Sequence, residues 1–247
     1  MDHSPYFRNR PNAQTAVLLI HGILSTPRHF DFLIPHIPDQ CEIYSILLAG
    51  HGGSVGDFTK ASMKQWQAQV NNALNELETR CSRIYIIGHS LGALLALNAV
   101  QQHKKISGVL LLNPPLLPRV QCTMIGRSLR FAFGKLQSDN MADVLCYEDL
   151  SIRLEPYLWK YLGWIPNFIS LLRLASKCRN IPAALDIPCY TFLGMKDELV
   201  HPKTARYLKD NPFISLEILE NGVHFGYRPE EQERIVTKLH LLLEQSQ

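Results

Sequence analysis

Six short apolar runs recur along the chain, each closed by glycine, proline or a small polar residue. They are "TAVLLIHG" (15–22), "CEIYSILLAG" (41–50), "RIYIIGHS" (83–90), "GVLLLNPP" (108–115), "IPCYTFLG" (187–194) and "SLEILEN" (215–221). Most are continuously apolar and rich in leucine and β-branched side chains. Runs of that length and character suit strands buried on both faces, as in a parallel sheet covered by helices. Between them the spacing lengthens to a helical period. Ser25 and Thr26 ahead of Pro27 predict an N-cap with proline in the first turn. Ser62 with Gln65 fits a capping box, and Trp66, Val70, Ala73, Leu74 and Leu77 follow on one helical face. Residues 91–102 are nearly all apolar, which predicts a helix buried against the sheet, and 229–243 form an amphipathic closing helix. The alternation predicts an α/β fold: a doubly wound, mostly parallel sheet flanked by helices.

One region breaks this rhythm. From Leu116 to Asp186 no strand pattern appears, and the segment carries Phe131, Phe133, Leu136, Leu145, Tyr157, Trp159, Tyr161, Trp164, Phe168 and Leu172. It is far longer than an ordinary connection between helix and strand. The expected organisation is therefore a core of residues 1–115 and 187–247 with a helical cap, 116–186, inserted between two strands. The cap's large apolar side chains have two readings: the walls of an acyl pocket, or the cap's own core.

Composition narrows the partners. The chain has 247 residues, 46% hydrophobic and 19% charged, with a formal net charge of +3. Lys and Arg are scattered, so no nucleic-acid partner is expected. Arg127, Arg130 and Lys135 are the nearest approach to a basic cluster and read as a solvated helix face. The opening "MDHSPYFRNRPNAQ" lacks the apolar core of a secretory signal, and no apolar run approaches the roughly 20 residues that span a bilayer. The six cysteines form no CxxC pair and lie at no zinc spacing. These features together predict a cytoplasmic protein with reduced thiols, and leave its oligomeric state open.

The candidate chemistry begins at "GHSLG" (88–92), which matches the G-x-S-x-G nucleophile elbow. Ser90 sits where a strand turns sharply into a helix, and Gly88 and Gly92 provide the clearance for that turn. The helix points its first N–H groups toward the place where an oxyanion forms. A serine needs a base, and the base needs an orienting acid, in the chain order serine, acid, histidine. Asp197 follows the strand ending at Gly194, and His224 follows the last strand. Both positions lie beyond strand ends, where open α/β sheets hold their sites. Glu198 competes with Asp197 but reads as solvated. The oxyanion donors are expected to be the N–H of Leu91 and that of Ile23, with Leu24 ranked behind Ile23. His21 and His51 read as structural, His89 as pointing away from Ser90, and His201 as solvated. "LLAGHGGSVGD" (47–57) reads as a strand-to-helix loop and lacks the Lys-Ser/Thr ending of a phosphate loop. No metal constellation and no dinucleotide fingerprint stands out, so neither metal nor cofactor is expected.

Taken together, "LLIHGILST", "LLAGHGGS", "GHSLG", "GMKDELV" and "NGVHF" resemble the α/β-hydrolase-fold serine hydrolases, in particular the small carboxylesterase and monoacylglycerol-lipase branch. The resemblance spans nearly the whole chain. It implies a Ser90–His224–Asp197 triad, oxyanion donors at Ile23 and Leu91, and a lid formed by the insertion. It also implies cleavage of carboxylic esters with a short to medium apolar acyl group, monoacylglycerol among them. Three features depart from the pattern. Ala49 stands where many relatives carry proline, Asn113 where some carry an acid, and the two leading antiparallel strands must be short or absent. A thioesterase, an acyltransferase and a carbon–carbon bond hydrolase use the same three groups. A non-catalytic ligand-binding protein on this fold would ordinarily have lost one of them.

Overall fold

A computed structural model describes residues 3–137 and 139–244. Its centre is a seven-stranded sheet in the order β1-β3-β2-β4-β5-β6-β7. The strands are β1 (Tyr6–Arg8), β2 (Thr15–Ile20), β3 (Glu42–Ile46), β4 (Arg83–His89), β5 (Ile106–Leu112), β6 (Cys189–Gly194) and β7 (Ile214–Leu219). Every pair is parallel except β1 with β3. The register brings the strand ends to one rim: Ile20 lies beside Gly88, His89 beside Leu112, and Gly194 beside Leu219.

The continuously apolar strands serve two cores at once, because successive side chains point to opposite faces. Leu18, Ile86 and Leu111 face a core completed by Trp66 and Leu74 of α2 (Met63–Arg80) and by α3 (Leu91–Val100). Leu19, Ile87 and Leu110 face the other, closed by Phe30 and by Ile235 and Leu239 of α7 (Pro229–Glu244). Each such side chain withdrawn from water contributes about 1.5–3 kcal/mol. The α/β fold read from the run lengths is the fold observed.

Local differences have local causes. The segment after Pro27 is a single 3₁₀ turn, Pro27–Phe30, and Thr26 makes no side-chain cap. Ser62 accepts the Gln65 N–H, giving half of the expected box, whereas the full reciprocal box belongs to Ser54 and Asp57 at the start of α1 (Val55–Lys60). A leading strand does exist: three residues of β1, antiparallel to β3, held by Arg8. Its guanidinium donates to the carbonyls of Ile37 and Pro38 at 2.9 and 2.6 Å and to that of Cys41 at 3.2 Å.

Between β5 and β6 lie α4 (Cys122–Ala132), α5 (Met141–Asp149), a 3₁₀ segment (Leu158–Trp164) and α6 (Ile165–Cys178). Leu171, Leu174, Ala175 and Cys178 of α6 join the core over the sheet. No helix among the described residues is long and apolar enough to cross a membrane.

Candidate active site

The site starts from a backbone conformation. Ser90 links β4 to α3 with φ 51° and ψ −115°, a strained turn that holds its side chain at the rim. Close packing enforces the turn. A Cβ on Gly92 would stand 1.8 Å from the carbonyl oxygen of Ile20, and one on Gly88 would stand 2.6 Å from the backbone of Gly92. Strand and helix therefore meet backbone to backbone. The Ser90 N–H donates to the Leu112 carbonyl at 2.9 Å, which ties the turn to β5.

Two loops converge on this serine. His224 Nε2 lies 3.1 Å from Ser90 Oγ, and its Nδ1 lies 2.7 Å from Asp197 Oδ2. Asp197 Oδ1 accepts the N–H groups of Leu199 and Val200, each at 2.7 Å, so the carboxylate is fixed by its own loop. All three side chains are buried, with Ser90 3% exposed. Burial works to lower the His224 pKa. The Asp197 charge and hydrogen bond outweigh it, and the group lies above the ordinary 6.5. Asn113 joins the two loops: its Oδ1 accepts from Gly194 N–H at 2.8 Å, and its Nδ2 donates to the Val223 carbonyl at 3.2 Å. An amide donates and accepts at once, which a carboxylate at the same place does not.

His89 turns away from Ser90 and has a task of its own. Its Nε2 lies 3.0 Å from the His224 carbonyl, and burial, then His29 and His224, hold its pKa well below the usual value. The imidazole is therefore neutral and donates from Nε2 to that carbonyl, steadying the His224 backbone. Its position inside the elbow motif was the signal that could have flagged this contact.

The loop after β2 is braced by the two histidines read as structural. His21 donates from Nδ1 to the Gly22 carbonyl at 2.8 Å and accepts the Leu48 N–H at Nε2, 3.0 Å away. His51 Nε2 accepts the Leu24 N–H at 3.0 Å. Burial lowers the His51 pKa to about 4, so the ring keeps its lone pair for that bond. Ser25 N–H is also engaged, with the Gly22 carbonyl.

The insertion grips all three loops, and here several expectations are corrected. Arg127 is not on a solvated face: it is buried and reaches Asp143 Oδ1 of α5 at 2.7 Å and Glu198 Oε1 at 2.9 Å. Glu198 is likewise buried, because α4 folds over the acid loop and brings Arg127 down on it. Arg130 pairs with Asp143 from a half-exposed position, and Lys135 is exposed as expected. His201 is half-exposed and caps the Pro202–Tyr207 turn by accepting the Lys203 N–H. Phe131 and Cys146 pack on Phe225, next to His224. Ser151 N–H and Oγ both bond the Leu24 carbonyl. A cavity of about 750 Å³ lies beside it, with mixed walls: Phe131, Tyr147, Leu150, Ile152 and Leu154 on one hand, His3, Ser54, Arg153 and Glu155 on the other.

The fold also gathers His29, His89 and Asp149, whose ligand atoms lie within 4.8 Å of one another. The His29 and His89 rings stack at 3.9 Å and 21°. Stacked rings hold their in-plane lone pairs side by side, which does not suit a shared tetrahedral or octahedral ion. Asp149 instead bonds His29 Nδ1 at 3.1 Å, tying the end of α5 to the turn after the β2 loop.

A parallel sheet with a strained serine between strand and helix, facing a histidine and an acid from later loops, defines the α/β hydrolases. The chain belongs to the alpha/beta hydrolase family, whose model matches residues 17–237. It is 26% identical over 204 residues to the thermostable monoacylglycerol lipase of Bacillus sp. (strain H-257), covering 78% of this chain and 75% of that one. It is 24% identical over 235 residues to the pimeloyl-[acyl-carrier protein] methyl ester esterase of Neisseria meningitidis serogroup C, with coverage of 88% and 89%. The crystal structure of the monoacylglycerol lipase of Paleococcus ferrophilus superposes with a TM-score of 0.68 at 17% identity, over 100% of both chains.

Proposed function

We propose that the protein is a serine hydrolase that cleaves carboxylic esters with a short to medium acyl chain, monoacylglycerols among them. The observation that carries this reading is the hydrogen-bonded line Ser90–His224–Asp197 at the N-terminus of α3. His224 takes the Ser90 proton as Oγ attacks the ester carbonyl. Asp197 holds the imidazole with Nε2 toward the serine and stabilises the imidazolium. The Leu91 N–H, directly after the nucleophile, and the Ile23 N–H stabilise the oxyanion. Leu24 ranks behind Ile23 because its N–H is already given to His51. His224 then protonates the leaving alkoxide, and water repeats the cycle on the acyl-enzyme.

Ester chemistry is favoured over thioester and carbon–carbon cleavage because both named relatives act on esters of acyl groups. The insertion acts as a lid over the acyl group, and its Phe131 packs on Phe225, the neighbour of His224. A fluorophosphonate probe tests the nucleophile: the wild type is labelled and Ser90→Ala is not. Labelling that survives Ser90→Ala sinks the assignment. Rates on p-nitrophenyl esters from acetate to palmitate test the substrate. A maximum at short to medium chains is expected, and a steady fall from acetate argues against an acyl pocket.

A further inference from the structure

The loop that carries the Ile23 N–H is held from two sides, and one of them is the insertion. Residues 22–25 form a turn closed by the Ser25 N–H on the Gly22 carbonyl at 3.2 Å. Its third residue, Leu24, stands at φ 61°, in the left-handed region that favours glycine over a side chain of this size. A turn strained in this way persists where its surroundings hold it. His51 and Ser151 hold it here. His51 Nε2 accepts the Leu24 N–H at 3.0 Å. The Leu24 carbonyl receives both donors of Ser151, the N–H at 2.8 Å and Oγ at 3.1 Å. Ser151 lies 127 residues along the chain, within the insertion, and is 3% exposed. Its segment is fastened on either side of it. Asp149 bonds His29 Nδ1 at 3.1 Å, and Arg153 forms a β-bridge with Ser54. Ser151 therefore acts from a fixed base.

The hold on Leu24 passes through rigid units. A peptide group is planar and trans, so its C=O and N–H point opposite ways. Ser151 fixes the carbonyl of the Leu24–Ser25 peptide. The N–H of that same peptide is the one that meets the Gly22 carbonyl. That carbonyl in turn belongs to the Gly22–Ile23 peptide, whose opposite group is the Ile23 N–H. Two peptide planes thus link Ser151 to the donor proposed for the oxyanion. His21 Nδ1 also holds the Gly22 carbonyl, at 2.8 Å, but it belongs to the same loop and moves with it. Ser151 ties the loop to a separate element. We infer that Ser151 is a positioning residue for ester cleavage: from the insertion, through the Leu24 carbonyl, it aims the Ile23 N–H at the oxyanion. The inference deepens the hydrolase reading and rests on it. A donor aimed where charge develops acts in the transition state more than on bound ester, so misaiming it lowers kcat and leaves KM nearly unchanged. Acylation and deacylation both pass through an oxyanion, so the loss appears whichever step limits turnover. The insertion is then part of the catalytic geometry as well as its cover.

The test is Ser151→Ala, which removes the Oγ bond and keeps the N–H. On p-nitrophenyl butyrate its kcat should fall about tenfold, a fraction of the roughly 10²–10³ that losing a donor outright costs, with KM changed less than about twofold. A trifluoromethyl ketone, whose adduct with Ser90 carries the oxyanion, should bind more weakly by about the same factor. Fluorophosphonate labelling run to its end point should count as many reactive Ser90 hydroxyls in the variant as in the wild type, so that lost turnover is not lost fold. Ser151→Thr and Ser151→Val share one shape and differ in the hydroxyl: the first should return most of the kcat and the second should not. An unchanged kcat in Ser151→Ala overturns the inference. So does a loss that lies wholly in KM, or equal kcat in the Ser151→Thr and Ser151→Val variants. A wild type that neither labels nor cleaves ester overturns the hydrolase reading and this inference with it. An active wild type indifferent to Ser151 overturns this inference alone.

Discussion

The rim of the sheet and the insertion above it are built on opposite plans. At the rim the apolar side chains are inside, and the polar ones are few, buried and paired: Ser90, His224, Asp197 and Asn113. In the insertion the charged groups Arg127 and Asp143 are buried, Arg127 against Glu198 of the acid loop, while Trp159, Leu162 and Leu172 face out. A rim that must hold atoms within fractions of an ångström is made by backbone contact and alternation along strands. The insertion is held by charge pairs at α4 and α5 and by the inner apolar face of α6, while its outer apolar side chains stay exposed.

The largest effect that sharpens this contrast is at the rim. Ser90→Ala and His224→Ala are expected to lower kcat by about 10⁴ or more with the fold intact, read by ester turnover and circular dichroism. In the insertion, Arg127→Ala should cost about 3 kcal/mol in denaturant unfolding, because Glu198 is left buried without its cation while Asp143 keeps only Arg130. Replacing all three, with Arg127→Met, Asp143→Leu and Glu198→Leu, should restore most of that. If Arg127→Ala is as stable as wild type, the charge pairs do not hold the insertion. Gly92→Ala should destabilise by about 3 kcal/mol, since its methyl meets the Ile20 carbonyl, a backbone atom that cannot step aside. A neutral outcome breaks the backbone-contact account of the rim.

The smallest expected effect is a shift in pH. The His224 pKa lies above 6.5, and the protonated ring cannot accept the serine proton, so kcat/KM falls as pH drops through a midpoint above 6.5. Stability runs the other way. A raised folded-state pKa contributes fully below 6.5, and the contribution fades as pH rises through the folded value. Asp197→Asn removes the opposing charge and should move the His224 midpoint down, read by imidazole proton resonances. An unmoved midpoint shows that Asp197 does not set it.

These two plans also explain what was legible in advance. The strands announce themselves because each residue's neighbours along the chain carry the signal: Leu18 and Leu19 are apolar for two different cores, and both appear in the run. Ser90, Asp197 and His224 are legible as positions just past strand ends. Arg127 was misread because its partner Glu198 lies 71 residues away, and helical spacing does not reveal a buried carboxylate from another loop. β1 was legible only as something short, since three residues of "YFR" become a strand by pairing with β3 rather than by their own pattern. The outward apolar stripe was visible as composition, but spacing records that a face is apolar, not what lies against it.

Short as it is, β1 has a consequence beyond its pairing. β3 would otherwise end the sheet with a row of open N–H and C=O groups, a template on which another chain can add a strand. Tyr6–Arg8 occupies that template, and the Arg8 clamp on Ile37, Pro38 and Cys41 keeps it there. A chain trimmed to begin at Asn9 keeps every group at the Ser90 rim. What it loses is protection against self-templated aggregation: turnover per folded molecule should persist while soluble yield falls with concentration.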